Sequence, residues 1–246
     1  MNNLSVVDRQ KFYDLSRQTI LEDSDDAKEC RNYLLSRKIS KKTALDFSLG
    51  YVPSRVDHFL KDRLILPIKY FNGDLAYLST RKFRDATSNR GHWHESFDKN
   101  IFLFCHPSAY NIAYEKKYAI IVEGQFDCMA LAQKGILNTF SILGSNFSKK
   151  QMVSLFSIFK NIILFFDNDD AGESSCKKSF DIFFREKMYK NGCSIRSWPK
   201  YSYKDPDDMV RKMSAEEFSK YFNDTVNKIL GDIYDRRNKQ ASIFNF

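Results

Sequence analysis

The chain has 246 residues, 43% hydrophobic and 28% charged, with 22 Phe and 13 Tyr. That composition excludes a disordered polyelectrolyte and leaves enough apolar mass for a proper core. No apolar run approaches the roughly 20 residues needed to span a bilayer, and the opening MNNLSVVDRQKFYDLS lacks the apolar stretch of a secretory signal, so a cytoplasmic protein with no membrane partner is expected.

The net charge of +8 is unevenly placed. Residues 1–30 carry a net −3, residues 31–117 a net +8 and residues 118–246 a net +3. A basic block interleaved with Tyr70, Phe71, Tyr77, Phe83 and Trp93 suits a groove that follows a phosphate backbone and stacks bases on rings. A solvated lysine-rich face is the plainer alternative. Five cysteines (Cys30, Cys105, Cys128, Cys176, Cys193) never approach a C-x-x-C spacing, so neither a zinc site nor a disulfide framework is expected.

In chain order, residues 1–30 form an N-terminal helical segment in which Phe12, Leu15, Thr19 and Ile20 recur at near-helical spacing. Two short helices follow: Tyr33, Leu34 and Leu35 line the first, Ser40 caps the second and Gly50 helps to end it. From Arg63 the period changes to two β-rich runs joined at Asn72-Gly73, a hairpin signal. A polar basic loop from Lys82 to His94 comes next, where His92 and His94 read as loop polar residues. The run Ile101-Phe102-Leu103-Phe104 is a candidate strand. Residues 31–117 are thus expected to be a basic α+β subdomain. Residues 118–204 alternate continuous apolar strands with helices, which predicts an α/β fold: a parallel sheet with helices on both faces. Residues 205–246 read as a short helical C-terminal segment and tail.

Three acidic clusters each follow an apolar strand of that sheet, so all can converge at its carboxyl edge, where such sheets bind ligands. The first is Glu123-Gly124-Gln125-Phe126-Asp127. Gly124 is expected to let the backbone turn and leave Glu123 exposed, with Asp127 near a helix start. The second is Asp167-Asn168-Asp169-Asp170-Ala171-Gly172, where period-two geometry puts Asp167 and Asp169 on one side. The third is Lys204-Asp205-Pro206-Asp207-Asp208, with Asp205 and Asp207 expected to point together. Clustered carboxylates repel unless a cation neutralises them, and hard oxygen ligands favour Mg2+ or Mn2+. Such sites suit phosphoryl transfer.

These motifs resemble the signature of the Toprim domain, with Glu123 in the first motif and Asp167, Asp169 and Gly172 in the D-x-D-x-x-G motif. The flanks, from about residue 28 to 213, resemble the bacterial and phage type of DNA primase. Tyr33 to Ser40, with Arg37, and Leu49 to Arg55 are similar to the start of that family's polymerase domain. Leu66-Pro67-Ile68 and Arg81 match its β-rich portion, and Lys204 to Asp207 match a further acidic motif.

The resemblance implies joining of ribonucleoside triphosphates into RNA primers on single-stranded DNA, with two or more Mg2+ or Mn2+ ions. Glu123 would be a catalytic acid or base near the metals. Asp167, Asp169, Asp205 and Asp207 would be metal ligands, and Arg81, Lys82, Lys99 and Arg37 contacts to nucleotide or template. The loop from Arg84 to Asn100 departs from the family pattern. A replicative helicase, a separate zinc-binding module and a sliding clamp are the expected partners, the last through Gln240 to Phe246. The same carboxylates would also serve a Toprim nuclease, and a primase-like binding protein without catalysis is a third reading.

Overall fold

The computed structural model describes residues 5–56, 58–83, 92–95 and 97–243. Helix α1 (Val6–Thr19) is capped by Ser5, whose hydroxyl accepts the Asp8 N–H at 3.1 Å. Its buried residues are Arg9, Tyr13, Ser16 and Thr19, while Leu15 is 47% exposed. Of the residues expected at helical spacing, Thr19 and Ile20 are buried and Phe12 packs against a core cluster, so Leu15 alone departs from the inner face. Polar side chains also hold that face: the Tyr13 hydroxyl donates to Ser48 O at 2.7 Å and Thr19 Oγ1 donates to Tyr51 O. Helix α2 (Asp25–Ser36) runs through the boundary expected at residue 30, and α3 (Lys41–Asp46) is capped by Ser40 as expected. Gly50 does not end α3. It lies in β1 (Gly50–Val52), where a Cβ would fall 2.1 Å from Ser16 Oγ, so glycine there permits the close approach of α1.

Strands β1, β2 (Arg63–Lys69), β3 (Leu75–Lys82) and β4 (His92–His94) form an antiparallel sheet in sequential order. The hairpin centres on Asn72-Gly73, with Gly73 at φ +92° and its N–H donating to Tyr70 O at 3.0 Å. A register shift at Ile68/Lys69 makes this a longer, bulged connection rather than a two-residue turn. His92 to His94, expected in a loop, pair with Ser79 to Arg81 as a strand. Residues 84–91, most of the expected basic loop, lie outside the described residues.

The second sheet has the order β5-β7-β6-β8-β9. Its strands are β5 (Phe104–Cys105), β6 (Tyr118–Val122), β7 (Thr139–Ser141), β8 (Asn161–Leu164) and β9 (Ser194–Ser197). The last four are mutually parallel, and β5 adds an antiparallel edge. The expected strand at residues 101–104 is thus real but later and shorter, and it pairs across the boundary expected at residue 117. Every residue of β6 and β8 is buried. Ile120, Val122 and Ile163 join one core with α5 (Gln125–Gln133), while Ala119, Ile121, Ile162 and Leu164 join another with α4 (Ala109–Lys116), α6 (Lys149–Phe156) and α7 (Asp170–Arg185). Helices therefore cover both faces, which is why these strands read as continuous apolar runs.

Helix α8 (Pro206–Lys212) leads to α9 (Ala215–Ile243), whose Phe218, Phe222, Val226, Ile229 and Ile233 bury against the first core. The segment Gln240–Phe246 is helical to Ile243, and its last three residues lie outside the described residues. Among the described residues no helix is long and apolar enough to cross a membrane.

Candidate active site

Strand β6 ends at Val122 and delivers Glu123 to the carboxyl edge of the sheet. Gly124 has φ −97°, open to any residue, so chain reversal is not why glycine is there. A Cβ on Gly124 would lie 2.6 Å from Asp127 Oδ2. The Asp127 carboxylate folds back instead, accepting Gly124 N–H at 3.2 Å with one oxygen and Asp207 N–H at 3.0 Å with the other. Asp127 is thus buried, 7% exposed, and ties the start of α5 to the start of α8.

Asp167 follows β8, and its N–H donates to Glu123 Oε1 at 3.4 Å. Its own Oδ1 is buried without a hydrogen-bond partner. Asp169 caps α7, its Oδ1 accepting Gly172 N–H at 2.8 Å. Gly172 is required by proximity, since a Cβ there would stand 2.0 Å from the Asp167 carbonyl oxygen. The D-x-D-x-x-G spacing is therefore a packing solution as much as a ligand pattern: the helix must pass directly over the strand end.

Asp205 caps α8, accepting Asp208 N–H at 2.7 Å, and Pro206 occupies the first helical turn. Because the helix starts at Pro206, Asp205 and Asp207 do not point together as expected. Asp207 is 1% exposed and turns away to Arg37 (2.6 Å) and Arg211 (3.2 Å). Arg37 in turn lies 4.5 Å over the Phe126 ring. Arg37 and Asp207 are thus partners in a clamp between α2 and α8, and the structure brings neither to the acidic cleft.

Two clefts meet at Asp167. One, of about 350 Å³, is lined by Glu123, Gly124, Gln125, Asp127 and the Leu143–Ser145 loop. The other, of about 220 Å³, is lined by Asp169, Asp170, Gly172, Lys200 and Tyr201 among others. Burial, then the Asp167 charge, pushes Glu123 up to about 7. Burial, then Asp205 and Asp169, pushes Asp167 up to about 6. Asp127 is driven well above the carboxylate range by burial, then by Asp167 and Asp205. Each carboxyl resists ionisation first because it is buried and then because its neighbours are also acids.

Such a set fits a divalent cation: every donor is a hard carboxylate oxygen and one buried oxygen lacks any partner. Among the described residues no three His, Cys, Asp or Glu side chains are already gathered to grip one ion. The reason is visible in the capping bonds, which turn Asp169 and Asp205 toward backbone amides.

The expected cations are less concentrated. Arg81 shares a face of β3 with Ser79, whose hydroxyl donates to Gln125 Oε1 at 2.9 Å, so that face looks toward the start of α5. Arg81 Nε is buried without a hydrogen-bond partner. Alternation turns Lys82 to the opposite face. Lys99 is exposed, and its carbonyl accepts from Gln151 Nε2 of α6 at 3.0 Å. Neither Arg81, Lys82 nor Lys99 lines the two acidic clefts. Lys204 sits 3.8 Å from Asp205, and its positive charge partly offsets the rise of the Asp167 carboxyl.

Three contributors went unnoticed in the sequence. Asn168 donates its N–H to Lys204 O at 2.8 Å and its side-chain amide to Tyr201 O, lashing the second acidic motif to the third. The Tyr201 hydroxyl donates to Phe166 O at 2.9 Å. Leu143 takes φ +63° beside Glu123, a left-handed conformation costly for a branched side chain. Only Asn168, inside D-N-D-D, carried any sequence signal.

The Toprim-like family profile matches residues 120–210, the stretch that carries all three acidic motifs from β6 into α8. In fold and in sequence the chain matches the Toprim-containing RNA polymerase core of DnaG-type primases. It is 24% identical to the DNA primase of Thermotoga maritima over 96% of this chain and 47% of that one. It is 25% identical to the Aquifex aeolicus DNA primase over 93% of this chain and 49% of that one. A solved DnaG primase catalytic domain bound to ssDNA superposes with a TM-score of 0.75 at 21% identity, covering 88% of this chain and 77% of that one. The chain spans about half the length of these two curated relatives.

Proposed function

We propose that this chain is the catalytic core of a DNA primase, joining ribonucleoside triphosphates into short primers on single-stranded DNA in the cytoplasm of a bacterium or of a phage's host. The observation that carries the reading is the meeting of Glu123, Asp167 and Asp169 at two adjoining clefts, with Asp205 near enough to raise the Asp167 carboxyl and an antiparallel basic sheet docked beside them through Ser79 and Gln125. The similarity to a primase domain solved with ssDNA supports a nucleic-acid partner.

Asp167, Asp169 and Asp205, with Glu123 beside them, would hold Mg2+ or Mn2+. Bound there, the ions would neutralise the triphosphate, activate the attacking hydroxyl and stabilise departing pyrophosphate. Glu123, held near neutrality by its surroundings, suits proton transfer at physiological pH. Asp127, turned inward to two backbone amides, holds the starts of α5 and α8 in place.

The test is incubation of the full chain with single-stranded DNA, labelled ribonucleotides and Mg2+ or Mn2+, beside an Asp167→Ala/Asp169→Ala variant. Metal-dependent oligoribonucleotides, absent from the variant, are expected. Degraded template would instead favour a nuclease, and absence of any chemistry in either metal would favour a binding role or a requirement for a partner.

A further inference from the structure

A cleft of about 370 Å³ that shares no residue with the two acidic clefts lies between the β2–β3 turn, the end of α3 and the segment through β5. Its walls are aromatic: Phe47, Tyr70, Phe71, Phe102 and Tyr110. Phe71 is 73% exposed and Tyr70 51%, at a turn where small polar residues are the usual choice. Their rings are nonetheless placed, Phe71 edge-on to Tyr110 at 4.8 Å and Tyr70 edge-on to Phe102 at 5.6 Å.

The same cleft contains Lys69, half-buried at the end of β2. Its ammonium donates to Ser48 Oγ at 3.1 Å, and among the described residues no carboxylate pairs with it. Burial, then the like charge of Arg17, pushes this amine below the ordinary lysine range. A half-buried cation without a carboxylate partner is unfavourable until an anion arrives.

Exposed rings beside an uncompensated cation are complementary to a planar heterocycle carrying an anionic group, and the volume falls within the range of small-molecule sites. We propose that this cleft binds a nucleoside phosphate, the base against Tyr70 and Phe71 and the phosphate on Lys69. The ligand is either a free nucleotide or the phosphorylated 5′ end of a strand. The site is separate from the acidic edge and requires no metal, so it stands or falls independently of the catalytic reading.

The experiment is calorimetric titration of the full chain in EDTA with adenosine 5′-monophosphate, adenosine, and a trinucleotide with or without a 5′-phosphate. Binding of the monophosphate or of the phosphorylated trinucleotide is expected, with adenosine and the unphosphorylated trinucleotide weaker. Tighter binding of the monophosphate identifies a free nucleotide, and tighter binding of the trinucleotide a strand end. Lys69→Met should weaken the phosphorylated ligand about tenfold or more through loss of a charge-assisted contact. Phe71→Ser, at a position 73% exposed, should weaken it several-fold. Asp167→Asn/Asp169→Asn should leave it unchanged. Failure of both phosphorylated probes to bind at millimolar concentration overturns the proposal, as does wild-type affinity in both Lys69→Met and Phe71→Ser.

Discussion

Arg37 and Asp207, 170 residues apart, are joined at 2.6 Å, with Asp207 almost wholly buried and Arg37 stacked on Phe126. Removing the guanidinium leaves a buried carboxylate with Arg211 as its remaining charged partner. Complete loss of a buried pair's partner costs about 3–5 kcal/mol. The second arginine and the 28% exposure of the Arg37 side chain reduce this, so Arg37→Ala should cost about 2 kcal/mol. Urea denaturation measures it, and combining Arg37→Ala with Asp207→Asn should cost less than the two single changes added.

Gly172→Ala should be among the most damaging small substitutions. The added methyl would meet the Asp167 carbonyl at 2.0 Å, and that atom belongs to the backbone. Overpacking of this kind costs about 1–3 kcal/mol. It also displaces Asp167, so the expected outcome is loss of nucleotidyl transfer beyond the fall in melting temperature. Thermal unfolding and the primer assay on the same preparation separate the two effects.

Asp169 caps α7, and substitution can divide that task from the proposed metal-binding one. As the cap of α7 it is replaceable by Asn or Ser, whereas Ala removes the bond to Gly172 N–H at a cost of about 1 kcal/mol. Asp169→Asn should therefore keep the melting temperature within a degree or two while abolishing metal-dependent activity. Asp169→Ala should lose both.

The acidic cluster sets a pH dependence of known sign. Glu123 and Asp167 are raised to about 7 and about 6 in the folded chain, from ordinary carboxylate values when unfolded. The folded chain thus binds these protons more tightly, and stability falls as pH rises from about 4 through 7. In EDTA the melting temperature at pH 8 should be lower than at pH 5.5. Asp167→Asn should raise it at pH 8 and flatten the profile, and adding Mg2+ to the unsubstituted chain should do the same. A profile as steep in Asp167→Asn as in the unsubstituted chain would refute this assignment.

Much of this was legible in the sequence where the constraint is local. Continuous apolar runs such as NIILFF mark strands buried on both faces, and the acids after them mark the carboxyl edge. What was not legible depends on partners far along the chain. Leu15 looks like a core position, but α1 presents hydroxyls and Arg9 to the sheet. Asp207 looks like a ligand beside Asp205, but the helix begins between them and Arg37 supplies its counter-charge. The short strand at Phe104–Cys105 exists only because β7 offers it an edge.

The role proposed for the carboxyl edge of this sheet is to hold divalent cations for nucleotidyl transfer. Titration of the full chain with Mn2+, followed by the loss of the free-ion electron paramagnetic signal, tests it directly. Binding should be present in the unsubstituted chain, weakened about tenfold or more in Asp167→Asn/Asp169→Asn by loss of two anionic ligands, and retained in Asp207→Asn. Equal Mn2+ affinity in all three proteins would rule out this site as the cation-binding edge.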